Sequence, residues 1–360
     1  MTAEKQGEAA LSVSLTFGTV DEAEARVAGV AAAAHAAHFA ARRGAREIWI
    51  DLRDGRPLSP AAADDVRRAC PEALVRYGAP SAASRYTVPG EPGFPGAARD
   101  DALAWLLSTT GKPADGWVSR HLNRPLSRAL SAFLLDRFPG VRPHHATVLT
   151  GLAALLMFAC LMLGGGRGLV AGGILFHAAS VLDGVDGEIA RATYRSSPRG
   201  AVLDSAVDMG TNLLFYLGLT FSLTRLYGPL QAMVGGWAVA AGLTGLALLS
   251  WLVRQVGEPG NFDLLKRFYR ARCRAAAPRF VVEMFVMITS RDFFAFGAAF
   301  LIVIGQPRMV TLGLALFASL WVALILLAMP MLLRRGTAAA PAPAPGAPAA
   351  LAVERGPSLP

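Results

Sequence analysis

One stretch decides the fold: residues 169–191 read LVAGGILFHAASVLDGVDGEIAR. The segment 169–182 carries no charged side chain, and the chain then becomes acidic at Asp183 and Asp186 before Arg191. A long apolar run is typical of a helix that crosses a membrane or is buried in a core. Because carboxylates are costly in such a helix, their presence indicates a functional site.

The composition of the whole chain favours a membrane protein. Of its 360 residues, 53% are hydrophobic and 17% are charged, whereas soluble domains carry about 25% charged residues. The net charge of +9 suits either nucleic acid or an anionic membrane surface. The apolar excess favours the membrane, so we expect membrane lipids and no nucleic acid as partners.

Apolar segments recur along the second part of the chain and predict six transmembrane helices. A helix needs about 20 residues to cross a hydrocarbon core of about 30 Å. Basic residues are concentrated in alternate connections, so the positive-inside rule places both termini on the cytoplasmic side of the inner membrane. The six segments are residues 145–163, 169–182, 209–224, 229–253, 293–305 and 309–333.

We therefore predict an α-helical integral membrane domain over residues 119–336. A small α/β cytoplasmic domain is expected over 1–98, and a linker over 99–118. Residues 337–360, which are rich in Ala and Pro, predict a disordered tail.

Local patterns suggest three elements in the N-terminal domain. The Ala-rich segment 21–43 predicts a helix, and residues 46–52 predict a strand. A second helix is expected over 60–77, with Ser59 as its N-cap, and the proline-rich segment 80–96 as a linker. So few elements make a thin core, and we expect this domain to be marginal alone or docked on another surface.

An interfacial helix is predicted over residues 119–136, before the first span. Apolar side chains fall on one helical stripe, and Arg120, Arg124 and Arg128 recur beside it. This pattern predicts arginines directed toward lipid phosphates. The alternative is an ordinary amphipathic helix packed against the soluble domain. The stripe consists of Leu122, Leu126, Leu130, Phe133 and Leu134.

Two pairs of aspartates carry the chemistry. Asp183 and Asp186 end one predicted span, and Asp204 and Asp208 begin the next, beyond a short loop containing Gly200. Spacings of three and four place each pair on one helix face, so the four carboxylates can converge. Each ionised Asp in a spanning helix costs roughly 2.5–3.5 kcal/mol. Bound Mg²⁺ or Mn²⁺, as two ions, removes that cost, whereas the structural alternative is a polar cluster that holds helices together.

The sequence resembles the CDP-alcohol phosphotransferases, whose signature is D-x2-D-G-x2-A-R-x8-G-x3-D-x3-D. The resemblance implies a six-helix domain, usually a homodimer, that binds a CDP-alcohol and two divalent metal ions at the cytoplasmic surface. Every fixed position is filled here, by Asp183, Asp186, Gly187, Ala190, Arg191, Gly200, Asp204 and Asp208.

The resemblance also implies a role for each fixed residue. Asp183, Asp186 and Asp204 would be metal ligands, and Asp208 would hold a metal and act as the base on the acceptor hydroxyl. The donor would be bound by the remaining four. Gly187 would let the nucleotide approach the backbone, Arg191 would pair with the diphosphate or a carboxylate, and Gly200 would open the loop. The donor-binding set is Gly187, Ala190, Arg191 and Gly200.

Five further residues have open interpretations. Arg195 and Arg199 would bind an acceptor phosphate, or would simply reflect the positive-inside bias. Glu188 is not a fixed position and is interpreted as facing water or the nucleotide. His177 is expected to be a packing residue. His144 replaces the asparagine that family members often carry before the first span.

A narrower resemblance connects the chain with fused proteins that join inositol-phosphate cytidylyltransferase to di-inositol-phosphate phosphate synthase. Residues 115–127 look like the segment before the first span of those proteins, and residues 26–78 look like a shortened nucleotidyltransferase. Residues 1–25 contain no Gly-rich basic loop for nucleotide phosphates. We therefore expect the N-terminal part to make no CDP-alcohol itself.

The predicted function is transfer of a phospho-alcohol from a CDP-alcohol to an acceptor hydroxyl, with release of CMP. The acceptor is a lipid or a polyol phosphate, and the narrower resemblance favours inositol phosphate. The alternatives are a phosphatidylglycerophosphate- or phosphatidylinositol-phosphate-type synthase that uses CDP-diacylglycerol, and an ion-binding membrane transporter. A transporter predicts carboxylates near the midplane of the membrane, whereas here they lie at span ends.

Overall fold

The computed structural model describes residues 11–79, 99–112, 115–138, 140–257, 264–272, 284, 287 and 290–338. The predicted linker at 80–96 and the predicted tail beyond residue 338 lie outside these ranges. The chain forms two compact units. The first contains residues 1–232 and 287–310, and the second contains residues 233–286 and 311–360.

The N-terminal part of the first unit is built on a parallel sheet. Its three strands are β1 (Leu11–Phe17), β4 (Ala45–Leu52) and β5 (Leu74–Tyr77), in the order β1-β4-β5. The predicted strand is therefore confirmed as the central one. Ile48 and Ile50 of β4 are fully buried, and β1 was not predicted.

The prediction of one continuous helix over 21–43 was wrong for the first half of that segment. The chain forms α1 (Val20–Glu24), then a hairpin of β2 (Arg26–Val27) and β3 (Val30–Ala31), and then α2 (Ala32–Arg42). The reason lies in the turn, where Ala28 and Gly29 have φ values of 53° and 73°. This left-handed backbone interrupts any helix.

The helix predicted over 60–77 ends early. It is α3 (Pro60–Ala69), and its N-cap Ser59 accepts a hydrogen bond from the backbone N–H of Ala62, as predicted. Pro71 follows Cys70, and the residue before a proline disfavours helical backbone. The chain then enters β5.

Another helix, α4 (Arg99–Ser108), occupies the first half of the predicted linker. Its residues Leu103, Leu106 and Leu107 are buried in one cluster with Val185 and Ile189 of the signature segment. Burial of these leucines explains why the segment is ordered rather than extended. The N-terminal part is therefore docked on the helical part, as expected.

The segment predicted as an interfacial helix is a turn of π-helix, Ser119–Asn123, followed by α5 (Arg124–Arg137). The prediction that Arg124 faces lipid phosphates is wrong, because Arg124 is 6% exposed and pairs with carboxylates. Leu126 and Phe133 of the apolar stripe are exposed.

Within the described ranges, four helices have the length and apolar composition needed to cross a membrane. They are α6 (Pro143–Leu163), α7 (Gly165–Ala192), α9 (Leu230–Gln255) and most of α12 (Pro307–Ala338). The other two predicted spans coincide with α8 (Pro198–Tyr227), which carries polar residues in its first half, and with the short α11 (Arg291–Val303). Between α9 and α11 lies α10 (Leu264–Arg272).

Small residues and aromatic rings hold α7 against its neighbours in the first unit. A side chain at Gly172 would come within 2.5 Å of Leu161 on α6, and one at Gly173 within 3.0 Å of Ile302 on α11. Phe176 of α7 stacks on Phe215 of α8, with ring centroids 3.8 Å apart. These contacts place the end of α7 beside the start of α8.

In the second unit, α9, α10 and α12 share an apolar core that includes Leu252, Phe268 and Ile325. The indole N–H of Trp237 donates to the hydroxyl of Ser319 at 2.9 Å. This core is separate from the residues of the signature.

Candidate active site

The structure brings the four signature aspartates together as two pairs that join α7 to α8. Asp186 lies within hydrogen-bonding reach of Asp204, and Asp183 within reach of Asp208. Asp186 is buried and the others are partly exposed. Two carboxylates can approach so closely only if a proton or a cation lies between them.

Thr147 of α6 fixes the orientation of Asp186. Its hydroxyl donates to Oδ2 of Asp186 at 2.7 Å, and both side chains are buried. Three residues earlier, His144 is exposed, and its ring centroid lies 4.3 Å from that of His145.

Arg291, at the start of α11, is the residue of the site that sequence reasoning missed. Its Nη1 lies 2.8 Å from Oδ2 of Asp183 and also forms an ion pair with Asp208. Nε and Nη2 of Arg291 are buried and have no hydrogen-bond partner in the part of the chain that the structure describes. Its position at the start of an apolar segment could have indicated a functional arginine. Its contact with α7 and α8, however, depends on the tertiary fold and is not visible in the sequence.

Within the described ranges, no three His, Cys, Asp or Glu side chains are arranged to hold a metal ion. The carboxylates instead lie close to one another in pairs, and Asp183 and Asp208 form ion pairs with Arg291. Their chemistry nevertheless fits a divalent cation, because carboxylate oxygens are the hard ligands that Mg²⁺ and Mn²⁺ prefer. A cation between the carboxylates of each pair would relieve their mutual repulsion.

Glu188 forms a buried structural network, so its interpretation as facing water or the nucleotide was wrong. It is fully buried and accepts hydrogen bonds from Arg124 Nη1 at 2.9 Å, Ser127 Oγ at 2.7 Å and Ser131 Oγ at 2.8 Å. Arg124 also holds Asp115 through two bonds of 2.9 and 3.1 Å. Burial opposes ionisation of Asp115, but the bonds from Arg124 prevail and lower its pKa. This network fixes α5 against the signature helix.

Arg191 covers Gly187 on α7, whereas Gly200 lies at the start of α8. Arg191 Nε donates to the carbonyl of Thr110 at 2.7 Å, and its guanidinium fills the space above Gly187, where a side chain would come within 2.9 Å of Nη1. Gly200 is in the first turn of α8 rather than in the loop, and its N–H donates to the hydroxyl of Ser197 at 3.0 Å. Ala190 lines a cavity with Arg191.

Neither Arg195 nor Arg199 forms an ion pair with a signature carboxylate in the described part of the chain. The neighbours of Arg195 include Arg68, Arg142 and Asp65, and its pKa is lowered by burial first and by the two arginines next. Arg199 is exposed in the first turn of α8. His177 packs against Phe296, with ring centroids 5.6 Å apart, but its buried Nδ1 has no hydrogen-bond partner among the described residues, so it is not the fully satisfied packing residue that was expected.

The N-terminal part contacts the end of α7 through a buried histidine. His35 Nε2 donates to the carbonyl of Val27 at 3.0 Å, so Nδ1 accepts from the hydroxyl of Tyr194 at 2.8 Å. Burial lowers the pKa of His35 to about 4, and burial raises the pKa of Tyr194. Both groups are therefore neutral at neutral pH.

The fold and the site together define a helical membrane protein with a paired-carboxylate centre at one end of its helices. Comparison with known families gives the same class, because the sequence model of the CDP-alcohol phosphatidyltransferase family matches residues 141–342, more than half of the chain. The chain belongs to this family. The family predicted from the signature is thereby confirmed.

Three similar proteins are each described as a bifunctional IPC transferase and DIPP synthase. The one from Aquifex aeolicus is 41% identical over 125 residues, covering 34% of this chain and 28% of the relative. The one from Thermococcus kodakarensis is 32% identical over 151 residues, covering 42% of this chain and 32% of the relative. The one from Rubrobacter xylanophilus is 36% identical over 140 residues, covering 39% of this chain and 29% of the relative. The chain thus spans about a third of the length of these relatives.

Proposed function

We propose that this protein transfers a phospho-alcohol group from a CDP-alcohol to the hydroxyl of a polyol phosphate and releases CMP. The observation that carries the proposal is the pairing of Asp186 with Asp204 and of Asp183 with Asp208 across two helices. A compact set of carboxylates suits binding of a metal–diphosphate, and the family supports the donor.

The reaction balances without a further reactant. The acceptor oxygen attacks the phosphorus that bears the alcohol, and a new phosphodiester bond forms. The bond from that phosphorus to the bridging diphosphate oxygen breaks, and its electron pair leaves with CMP. The acceptor proton passes to Asp208, which lies one helical turn beyond Asp204 on the same face. Asp208 must exchange its contact with Arg291 to accept it.

We assign the metal ligands to Asp183, Asp186, Asp204 and Asp208, with two ions of Mg²⁺ or Mn²⁺. When bound, such ions neutralise the diphosphate and stabilise the leaving oxygen. The hydroxyl of Thr147 supports this assignment, because it fixes Asp186 as an oriented ligand.

The donor would lie along the face of α7 that carries Gly187, Ala190 and Arg191, near Gly200 at the start of α8. Arg195 and Arg199 remain the proposed contacts for an acceptor phosphate. Arg291 supplies positive charge beside Asp183 and would rearrange when cations bind.

We propose six spanning helices, adding α8 and α11 to the four that have suitable length and composition. The basic connections support an inner-membrane protein with both termini and the carboxylates on the cytoplasmic side. The resemblance to the family supports a homodimer. The segment over 119–137 would lie at the membrane interface, with exposed Leu126 and Phe133 toward lipid.

The acceptor is proposed from the printed names of the relatives. These names include DIPP synthase, and residues 115–127 resemble the corresponding segment of proteins with that activity. Both observations favour an inositol phosphate acceptor. Synthesis of phosphatidylglycerophosphate or phosphatidylinositol phosphate from CDP-diacylglycerol is the second candidate, favoured by the family description. The N-terminal part is proposed to be inactive in cytidylyl transfer.

Purified protein with Mg²⁺ and a panel of CDP-alcohols and acceptors tests the function through CMP release. We expect CMP with a soluble CDP-alcohol and inositol phosphate, and no CDP-alcohol from CTP. CMP release only with CDP-diacylglycerol would replace the first candidate with the second. Absence of CMP release with every pair would refute the proposed function.

A further inference from the structure

A cavity of about 330 Å³ opens between the N-terminal α/β part and the end of α7. Three arginines from separate elements line it: Arg42 of α2, Arg68 of α3 and Arg191 of α7. We propose that this cavity binds a phosphate-bearing small molecule, which Arg42, Arg68 and Arg191 recognise. The cavity shares Arg191 with the proposed donor face of α7, but Arg42 and Arg68 belong to the N-terminal part, so the site extends beyond the proposed phosphotransfer. Arg191 lies about 8 Å further along the helix than Asp186, at about 1.5 Å per residue.

The lining contains hydrogen-bond donors that the protein itself does not satisfy. Nη2 of Arg191 and Nε of Arg68 are buried and have no hydrogen-bond partner among the described residues. Arg42 pairs with no carboxylate in the described part of the chain. A buried donor without a partner is unfavourable, and a ligand with several acceptor oxygens would supply partners to guanidinium groups that turn toward it.

The charge of the lining selects an anion. No acidic side chain from the described ranges lines the cavity. The nearby carboxylate of Asp65 is divided between Arg68 and Arg26, which lies 2.6 Å from its Oδ2. Arg195 is also close to Arg68, so positive charge accumulates here. Guanidinium groups bind phosphate through paired N–H donors.

The aromatic wall of the cavity is fixed in place. Tyr194 has a φ of 56°, a conformation that is uncommon for a residue with a side chain. This backbone turns its ring toward His38, with ring centroids 4.4 Å apart, and its hydroxyl donates to His35. The volume is at the small end of the range for ligand sites and suits a small organic phosphate, such as a polyol phosphate or a mononucleotide.

Calorimetry on the full-length protein without divalent metal tests the proposal. The probes are inorganic phosphate, inositol 1-phosphate and CMP, and their ranking shows whether the phosphoryl group, a polyol or a nucleoside is recognised. We expect Arg42→Gln to weaken binding of the tightest probe at least about tenfold, the loss of one charge-assisted contact. Arg42→Lys should retain part of the affinity. The matched control is Arg46→Gln, an exposed arginine of the same domain outside the lining, and it should bind as the wild type does.

The same titration in the Asp204→Asn background separates this site from the carboxylates. We expect the Asp204→Asn variant to bind the probe as the wild type does, even though it has lost turnover. The binding result therefore does not depend on whether the proposed function is correct. Loss of binding in Asp204→Asn would place the phosphate at the carboxylates and overturn the proposal. No binding by any probe to the wild type, or equal affinity in Arg42→Gln, would also overturn it.

Discussion

Nη1 of Arg291 lies 2.8 Å from Oδ2 of Asp183 and also contacts the carboxylate of Asp208. One guanidinium thus joins α11 to both helices of the signature. An ion pair in this position neutralises charge that would otherwise be costly at the end of a spanning helix. If the proposed metal ions bind, Arg291 would compete with them for the same oxygen atoms, and the stability of the protein would then depend on its cation content.

The first prediction concerns that competition. Replacing Arg291 with Gln leaves Asp183 and Asp208 without their cation, so the fold should depend more strongly on divalent metal. The melting temperature in Mg²⁺ should exceed that in EDTA by more in the variant than in the wild type. We expect this extra difference to be roughly 2–4 °C for each kcal/mol of stabilisation that the missing guanidinium had supplied. Thermal unfolding in detergent measures it. Arg225→Gln is the control, since Arg225 donates to the carbonyl of Met162 instead. An unchanged difference would show that Arg291 does not compete.

The second prediction concerns the buried network of Glu188. Replacing Glu188 with Ala removes a fully buried partner of Arg124 and orphans Ser127 and Ser131. Breaking a buried ion pair costs about 3–5 kcal/mol, so the melting temperature should fall strongly. Glu188→Gln keeps the shape and should cost less.

The exposed Arg120 provides the control for this network. Arg120→Ala should change the melting temperature little, because surface substitutions usually cost less than about 0.5 kcal/mol. If Glu188→Ala unfolds at the temperature of the wild type, Glu188 does not stabilise the contact of α5 with α7.

The third prediction is a pH dependence that originates at His35. Its pKa falls from an ordinary value of 6.5 to about 4 in the folded protein. Between these values the unfolded chain binds a proton that the folded chain does not, so stability is complete above about pH 6.5 and declines as the pH falls toward 4. The loss is at most about 3 kcal/mol, and proteolysis of the N-terminal part at several pH values measures it.

His35→Gln should flatten this pH profile, because the amide does not titrate. His121→Gln is the control, since His121 is exposed. A profile as steep in His35→Gln as in the wild type would assign the pH dependence to another group, such as the neighbouring His38, whose pKa is also lowered by burial.

The fourth prediction concerns α4. A chain that begins at Arg99 keeps Leu103, Leu106 and Leu107 in their cluster with α7, whereas one that begins at Lys112 loses them together with the bond from Arg191 to Thr110. Burial of each leucine contributes about 1.5–3 kcal/mol. We therefore expect a clearly lower melting temperature for the shorter chain. Equal melting temperatures would mean that α4 does not stabilise α7.

Local patterns predicted a large share of the fold. The strand β4, the Ser59 cap and the apolar helices follow from side-chain periodicity and hydropathy within one segment. The approach of the four aspartates also follows, because spacings of three and four fix a helix face. These features depend on neighbours in the sequence.

The remainder depends on contacts between distant segments. Arg124 looked like a lipid-facing arginine because its buried partner Glu188 lies on another helix. The pairing of Arg291 with Asp183 spans more than a hundred residues. The hairpin at Ala28 was hidden by the strong helical propensity of the alanines around it. Side-chain periodicity within one segment does not indicate contacts between residues that are distant in the sequence, so a single sequence does not reveal them.

CMP release from a CDP-alcohol by Asp204→Asn tests the central claim most directly. We expect no turnover in this variant and none by the wild type in excess EDTA, while Asp208→Asn loses about 10²–10⁴-fold. The activity control is Asp64→Asn, which changes an exposed carboxylate of the N-terminal part and should release CMP at the wild-type rate. The folding control is the melting temperature of Asp204→Asn, which should equal that of the wild type. Wild-type rates of CMP release by Asp204→Asn, or in excess EDTA, would contradict a metal-dependent carboxylate centre.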